Sequence, residues 1–485
     1  MRQRRCIGHG ITCPNGRNRV THSRHVVVIG GGVSGLTTAL TVLAESPEPV
    51  SVTVLESQPN TGGVIRTSPF AGLPAVDEGA DAFLTRVPWA SQLATELGLG
   101  AALTSPTGAH AYVWHNGMHT IPGDLLLGVP AKVRSFATSS LISPRGKIRA
   151  ALEPLLPRTT PKDSIGHYVR RRFGNEIQER LVDPLVGSIY AADTDNFSIA
   201  AVPQIAALTS ERSMLLAAAS ARKAALHSPA STSPIFGTPL RGIGALIDTL
   251  VERVVALGGT IRTSATVENI ERHGKGYQVS LPGHTLTCDA IAIASPARKS
   301  ADFVAGVSQH AATLLRQWDH ASVVLITMAI PANQWPSHLT GSGYLVPKPD
   351  QRWVTAASFG SNKWAHWRPT DGSMIVRVSL GRDGLDVMHF DNDQLLNLAL
   401  ADMKLHLNAD LTPTEVRTSR WAESFPQYRP HHFDKLADVE RSVNAEHGGI
   451  FFAGASYRGI GIPACIQQAR SASESILKHL ATLTQ

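Results

Sequence analysis

Cysteine is scarce in this chain of 485 residues: Cys6, Cys13, Cys288 and Cys465 are the whole set. So few thiols in so long a chain exclude a disulfide-stapled scaffold. No C-x-x-C pair points to zinc, and the usage suits a reducing cytoplasm. Aromatic residues make up 6% and charged residues 17%, beside 41 glycines, 30 prolines and 43% hydrophobic residues. Neither a disordered chain nor a collagen-like one has that balance. No apolar run reaches transmembrane length. The longest uncharged stretch, 320–347, is broken by Pro331, Asn333 and Ser337, and its apolar part, 323–330, is strand-sized. Internal repeats are lacking too, and no metal is expected: His431 and His432 read as loop or surface residues rather than ligands.

Positive charge is present but badly distributed. The formal balance is +7, yet residues 1–24 carry Arg2, Arg4, Arg5, Arg17, Arg19 and Arg24 and no acid. The other 39 basic and 38 acidic residues nearly cancel, so no global field for nucleic acid is expected from the body of the protein. Residues 1–24 read as a disordered basic tail. Residues 130–185 hold eleven Lys or Arg against five Asp or Glu, which leaves a peripheral contact with anionic lipid open.

The length calls for two or three cores. Residues 25–29 and 50–56 read as buried strands flanking a helix at 36–44, a βαβ unit. A helix at 240–257 and strands at 260–263 and 265–271 are expected, with 277–281 and 289–294 extending the sheet. A strand at 449–454 and a helix from about 463 to 480 close it. The expected fold class is α/β: a Rossmann-like dinucleotide-binding domain from 25–105, 235–300 and 418–485. A helical lobe is expected at 126–230 and an inserted α+β substrate domain at 305–417.

Gly30-x-Gly32-x-x-Gly35, placed where strand turns into helix, is a dinucleotide fingerprint. Gly30, Gly31, Gly32, Val33, Ser34 and Gly35 would present backbone N–H groups and a helix N-terminus to a pyrophosphate. Glu56, 21 residues past Gly35, and its neighbour Ser57 stand where ribose hydroxyls are bound. The pair Gly62-Gly63 with Arg66 can cover a second part of the pyrophosphate. The turn from Gly454 to Gly461, Ile462, Pro463 and Ala464 enters the final helix, whose N-terminus can stabilise negative charge.

These motifs resemble the large FAD-dependent oxidase family that includes amine oxidases, phytoene desaturases and protoporphyrinogen oxidases. The run Asp77-Glu78-Gly79-Ala80-Asp81-Ala82-Phe83, with Arg86 behind it, is similar to the segment following the glycine pair in bacterial porphyrinogen oxidases. Gly117 to Pro122, Gly128 to Pro130, Arg172 to Asp193 and Ala453 to Cys465 resemble further blocks, the last in the Gram-positive type. Alanine stands at 80 and 82 where the family often has Pro and Ser, Val87 where it has a second base, and Ala464 where it has an acid.

The resemblance implies FAD as cofactor, with Gly79, Ala80, Asp81, Ala82, Val267 and Trp421 joining the glycines around it. It also implies oxygen-dependent oxidation of coproporphyrinogen III, with the flavin carrying the hydride transfer and no catalytic side chain assigned. Arg86, Tyr344, Arg382 and Arg458 are the candidate substrate contacts, with the run Arg170-Arg171-Arg172 as a further source of cations. Porphyrinogen and O2 are the implied reactants, and a transient hand-off to a ferrochelatase the implied partnership. Protoporphyrinogen IX oxidation, amine oxidation and non-catalytic porphyrin binding are the rival readings.

Overall fold

Val26, Val27 and Val28 are completely shielded from solvent, as in a strand covered on both faces. The computed structural model describes residues 24–483 apart from 133–135, 159–163, 228–233 and 447. There these valines lie at the centre of a five-stranded parallel sheet. Its order is Thr260–Arg262, Val50–Leu55, Arg24–Ile29, Ala290–Ile293, Ile450–Phe452. Side chains alternate across it. Val26 and Val28 pack with Ala39, Val42, Val254 and Ile476, from helices Val33–Glu45, Gly244–Ala256 and Ile462–Thr482. Val27 and Ile29 pack on the opposite face with Tyr277, Val279 and Phe303.

Two expectations change here. The tail expected at 1–24 lies outside the described residues except for Arg24, which begins the first strand and pairs with Asp289 at 3.0 Å. The segment expected to extend the parallel sheet at 277–281 instead forms the middle of a separate antiparallel sheet. Its strands are Asn269–His273, Gly276–Leu281 and His284–Cys288. Gly274 and Gly283 adopt φ of +59° and +69°, and tight turns of this kind return the chain antiparallel, whereas a parallel neighbour needs a crossover.

A second sheet of seven strands runs Glu415–Pro426, His320–Ile330, Met374–Leu380, Val354–Phe359, Gly343–Leu345, Tyr112–Trp114, Met118–Thr120. The boundary drawn at 417/418 therefore falls inside a strand that pairs with its neighbour from Ala329↔Glu415 to His320↔Pro426. One face of this sheet carries Val376, Val378, Leu380, Ala357 and Phe359 against Leu395, Ala399 and Met403 of helix Asn392–Leu407. The other face looks toward the parallel sheet.

A helical lobe supplies the third wall. Helices Ile165–Phe173, Asp183–Tyr190, Pro203–Thr209 and Met214–Leu226 surround Phe173, Leu181, Val186, Phe197 and Met214. One π-helical turn, Gln178–Val182, runs directly into Asp183–Tyr190; the wider turn re-phases the helix that follows.

Candidate functional site

The three walls enclose a cavity of about 1220 Å³, beyond the ~300–1,000 Å³ of ordinary small-molecule sites. At one end lies the glycine turn. A Cβ on Gly35 would stand 1.9 Å from the carbonyl oxygen of Gly30, so helix and strand pack this closely only with glycine. A Cβ on Gly32 would meet no protein atom within 4 Å; the demand for glycine there comes from the cavity in front of it. Glu56, 8% exposed, accepts the Gly31 N–H at 2.7 Å and the Gln58 N–H at 2.8 Å. Gly30, Gly32, Val33, Ser34, Glu56, Ser57 and Val267 line this end. Across from the turn, the Gly62 N–H donates to the Gly31 carbonyl at 2.9 Å, and Gly62 and Gly63 complete the wall.

Beyond the glycines, the cavity passes under the strap 77–82. The seven-stranded sheet grips this strap with alternate side chains. Arg417, Thr327, Arg377 and Ser358 fall in one cross-strand row, and Trp421 pairs with Val323 on the same face. Arg377 donates to the carbonyls of Asp77 (3.1 Å) and Gly79 (2.8 Å), and Trp421 Nε1 donates to the Glu78 carbonyl at 3.2 Å. One Asp81 oxygen accepts from Lys363 (2.8 Å) and Trp364 Nε1 (3.1 Å) and forms an ion pair with Arg377 (3.1 Å). Burial would raise its carboxyl, but Lys363 and Arg377 overcome that and hold it well below the usual carboxylate range. Gly79, Ala80, Asp81, Ala82 and Trp421 all line the cavity.

Asp77 behaves oppositely. It is fully buried, accepting from Thr67 Oγ1 and from the Ile243 N–H (2.9 Å), while its Oδ2 has no partner. Burial pushes its carboxyl up to about 6. The folded value lies above the unfolded one, so the folded state holds the extra proton between them, and this group's contribution to stability falls as pH rises from about 4 to 6. Asp77→Asn keeps the acceptor and removes the charge. Thermal unfolding across pH 4–7 should show that dependence flattened, by on the order of 3 kcal/mol at most. An unchanged profile would exclude Asp77 as its source.

The closing turn, from Gly454 to Gly461, is held by side chains that local sequence patterns do not mark. Gln468 Oε1 accepts the N–H groups of Gly454 (3.3 Å) and Arg458 (2.9 Å). Tyr428 OH accepts the Gly459 N–H (2.8 Å) and donates to the Ala455 carbonyl (2.7 Å). His432 is buried rather than a surface residue; its Nε2 meets the Tyr457 carbonyl at 2.8 Å, and burial pushes the imidazole down to about 4. Gly454, Gly461 and Ile462 line the cavity, where helix Ile462–Thr482 points its N-terminus. Pro463 and Ala464 lie behind them, Ala464 filling the space a Cβ on Gly459 would need.

Several expected contacts lie elsewhere. Arg66 stacks over the Trp421 ring at 5.4 Å, outside the cavity wall. Arg86 is exposed and does not line the cavity. Arg458 forms a bidentate ion pair with Glu440 away from the cavity. Tyr344 reaches the cavity along its strand, but it pairs with Ala357 on the core face and its hydroxyl lies 3.1 Å from His406 Nδ1. Strand alternation, which a residue list ignores, decides that case. Arg172 is buried against Glu153, and Arg170 pairs with Asp195 at 2.8 Å, so these two members of the basic run are structural. Arg382 does line the cavity, held by Gln351 at 2.6 Å.

A sequence profile of the flavin-containing amine oxidoreductases matches residues 33–477. The chain belongs to this family. As such it is an FAD-dependent oxidoreductase, and the wall residues fit the cofactor: a glycine turn open at Gly32, Glu56 beside it, and a second helix N-terminus farther along. The chain is 29% identical over 469 residues to the coproporphyrinogen III oxidase of Bacillus subtilis, with 94% of this chain and 98% of the relative covered. It is 30% identical over 467 residues to that of Mycobacterium leprae, with 95% and 99% covered. A solved structure from Exiguobacterium sp. 255-15, provisionally named a protoporphyrinogen oxidase, superposes with a TM-score of 0.82 at 26% identity, covering 94% of this chain and 99% of that one. Cyclohexylamine oxidase from Brevibacterium oxydans shares the flavoenzyme fold at a TM-score of 0.66 and 16% identity.

Among the cavity residues that sequence reasoning missed are Lys363, Arg377 and Ser358. Arg377 left a trace, a lone arginine inside the apolar run 374–380. Lys363 and Ser358 left none.

Proposed function

We propose that this flavoenzyme oxidises coproporphyrinogen III to coproporphyrin III, passing six electrons to O2 in two-electron steps and releasing one hydrogen peroxide per step. The observation that carries this reading is the cavity's continuation past the closing turn into an apolar slot. Leu185 and Ile189 from helix Asp183–Tyr190 form one side of it, and Leu325, Leu345 and Ala356 from the seven-stranded sheet the other. Such a slot suits a flat macrocycle, and Lys363 and Arg382 in the cavity wall suit the substrate's carboxylates. FAD held there would supply the redox chemistry, as acceptor of hydride from a meso carbon and as donor of electrons to O2. The chain orients the macrocycle, keeps bulk water from the reacting carbon and holds the closing turn rigid through Gln468 and Tyr428.

The relatives' names favour the tetracarboxylate over protoporphyrinogen IX. No helix among the described residues is long and apolar enough to cross a membrane, and we place the enzyme in the cytoplasm, handing porphyrin to a ferrochelatase. FAD-loaded protein in air should generate porphyrin fluorescence faster from coproporphyrinogen III than from protoporphyrinogen IX, when initial rates are compared side by side. A preference for the dicarboxylate would reverse the substrate assignment, and no turnover of either would remove it.

A further inference from the structure

Under the strap 77–82 the cavity wall sets two cations against one carboxylate. Lys363 and Arg377 both face the single carboxylate of Asp81. Arg377 is 9% exposed and already committed, to Asp81 and to the carbonyls of Asp77 and Gly79. Lys363 has three N–H donors, and its contact with Asp81 accounts for one of them.

Next to Arg377 in cross-strand register stands Ser358, whose hydroxyl is buried with no hydrogen-bond partner. Native proteins rarely leave a buried hydroxyl unused. The two residues are firmly placed. Ser358 lies within strand Val354–Phe359, and Lys363 ends the short helix Gly360–Lys363. That helix is anchored by the Lys363 carbonyl to the Thr107 N–H at 2.9 Å, and by Asn362 to the carbonyls of Leu339 and Gly341, each at 3.0 Å. The excess cation, the unused hydroxyl and the shared cavity wall ask for an anionic oxygen ligand.

We propose that Lys363, assisted by Ser358, binds one carboxylate of the substrate, with Arg377 setting the local field and Asp81 orienting the ammonium. The site rests on the porphyrinogen reading above, and it moves the carboxylate contact from Arg86 and Arg458, which lie outside the cavity, to the sheet wall. Asp81 retains Arg377 and Trp364 when Lys363 is removed, so no buried carboxylate is orphaned by the test.

Coproporphyrin III and its neutral tetramethyl ester serve as probes, with Kd measured by quenching of porphyrin fluorescence in the FAD-loaded protein. Lys363→Met should raise Kd for the acid tenfold or more, as expected for about one charge-assisted hydrogen bond. The ester should change by less than about twofold, within the scatter of neutral contacts. Ser358→Ala should weaken the acid by about two- to fivefold, and Lys363→Arg should restore most of its affinity. KM for coproporphyrinogen III should rise in step, with flavin content and absorbance spectrum unchanged. Equal losses for acid and ester would overturn the site. So would an altered flavin spectrum with KM unchanged, which would set the ammonium against the cofactor instead. Turnover by the unmodified enzyme with an unaltered acid-to-ester ratio in Lys363→Met sinks this site alone, whereas no turnover by the unmodified enzyme removes the substrate reading with it.

Discussion

Replacing Arg172 by methionine should destabilise the protein by about 3–5 kcal/mol, the usual cost of stripping one partner from a buried ion pair. Arg172 is 1% exposed and Glu153 is fully buried. The guanidinium binds Glu153 Oε1 through Nε at 2.6 Å and also the carbonyls of Pro157 (2.9 Å) and Arg212 (2.7 Å). Glu153 in turn accepts from Ser213 Oγ and from the Met214 N–H at 3.1 Å, at the start of helix Met214–Leu226. Removing the arginine leaves a buried carboxylate without its cation and three segments of the helical lobe without their common tie. Denaturant unfolding of the holoenzyme should report the loss. KM for the porphyrinogen should stay close to that of the unmodified enzyme wherever the variant remains folded, because Arg172 lies outside the cavity wall. A raised KM with unchanged stability would return Arg172 to the substrate site.

Two alanine substitutions in the glycine turn should part in an informative way. Gly35→Ala places a methyl group 1.9 Å from the Gly30 carbonyl oxygen. Backbone cannot yield cheaply there, so both stability and FAD affinity should fall, stability by about 1–3 kcal/mol or more from overpacking. Gly32→Ala meets no protein atom within 4 Å, so the apoprotein should unfold as before. Its methyl group projects into the cavity in front of the turn; if the pyrophosphate passes there, FAD should bind at least about tenfold more weakly, or about 1.4 kcal/mol. Titration of apoprotein with FAD, beside thermal unfolding of the same apoprotein, separates the two. Normal FAD affinity in Gly32→Ala would mean that the cofactor does not pass in front of this turn.

The nucleotide end of the site was legible because its determinants are local. A strand of valines, glycines at fixed offsets and an acid at the end of the next strand are set by chain geometry within one βαβ unit, and Gly31, Glu56 and Gly62 meet as that spacing requires. The main helices were legible for the same reason: their apolar period shows within a dozen residues. Cations carried no comparable signal. Arg86, Arg458 and Arg172 look alike in a sequence, yet one faces solvent, one is bound to Glu440 and one is buried against Glu153.

By itself the sequence determined the flavin fold, the glycine turn and the family of chemistry, since short-range periodicity and steric demands suffice for these. Tertiary structure decided the cavity wall that we propose for the substrate. Pairing between strands distant in the chain puts Ser358 beside Arg377, turns Tyr344 into the core and closes Lys363 onto Asp81 across 282 positions. The physical reason is that strand register and the side a residue faces are settled by which strands pair and where their apolar faces are buried, and one residue of slip would reverse every side chain.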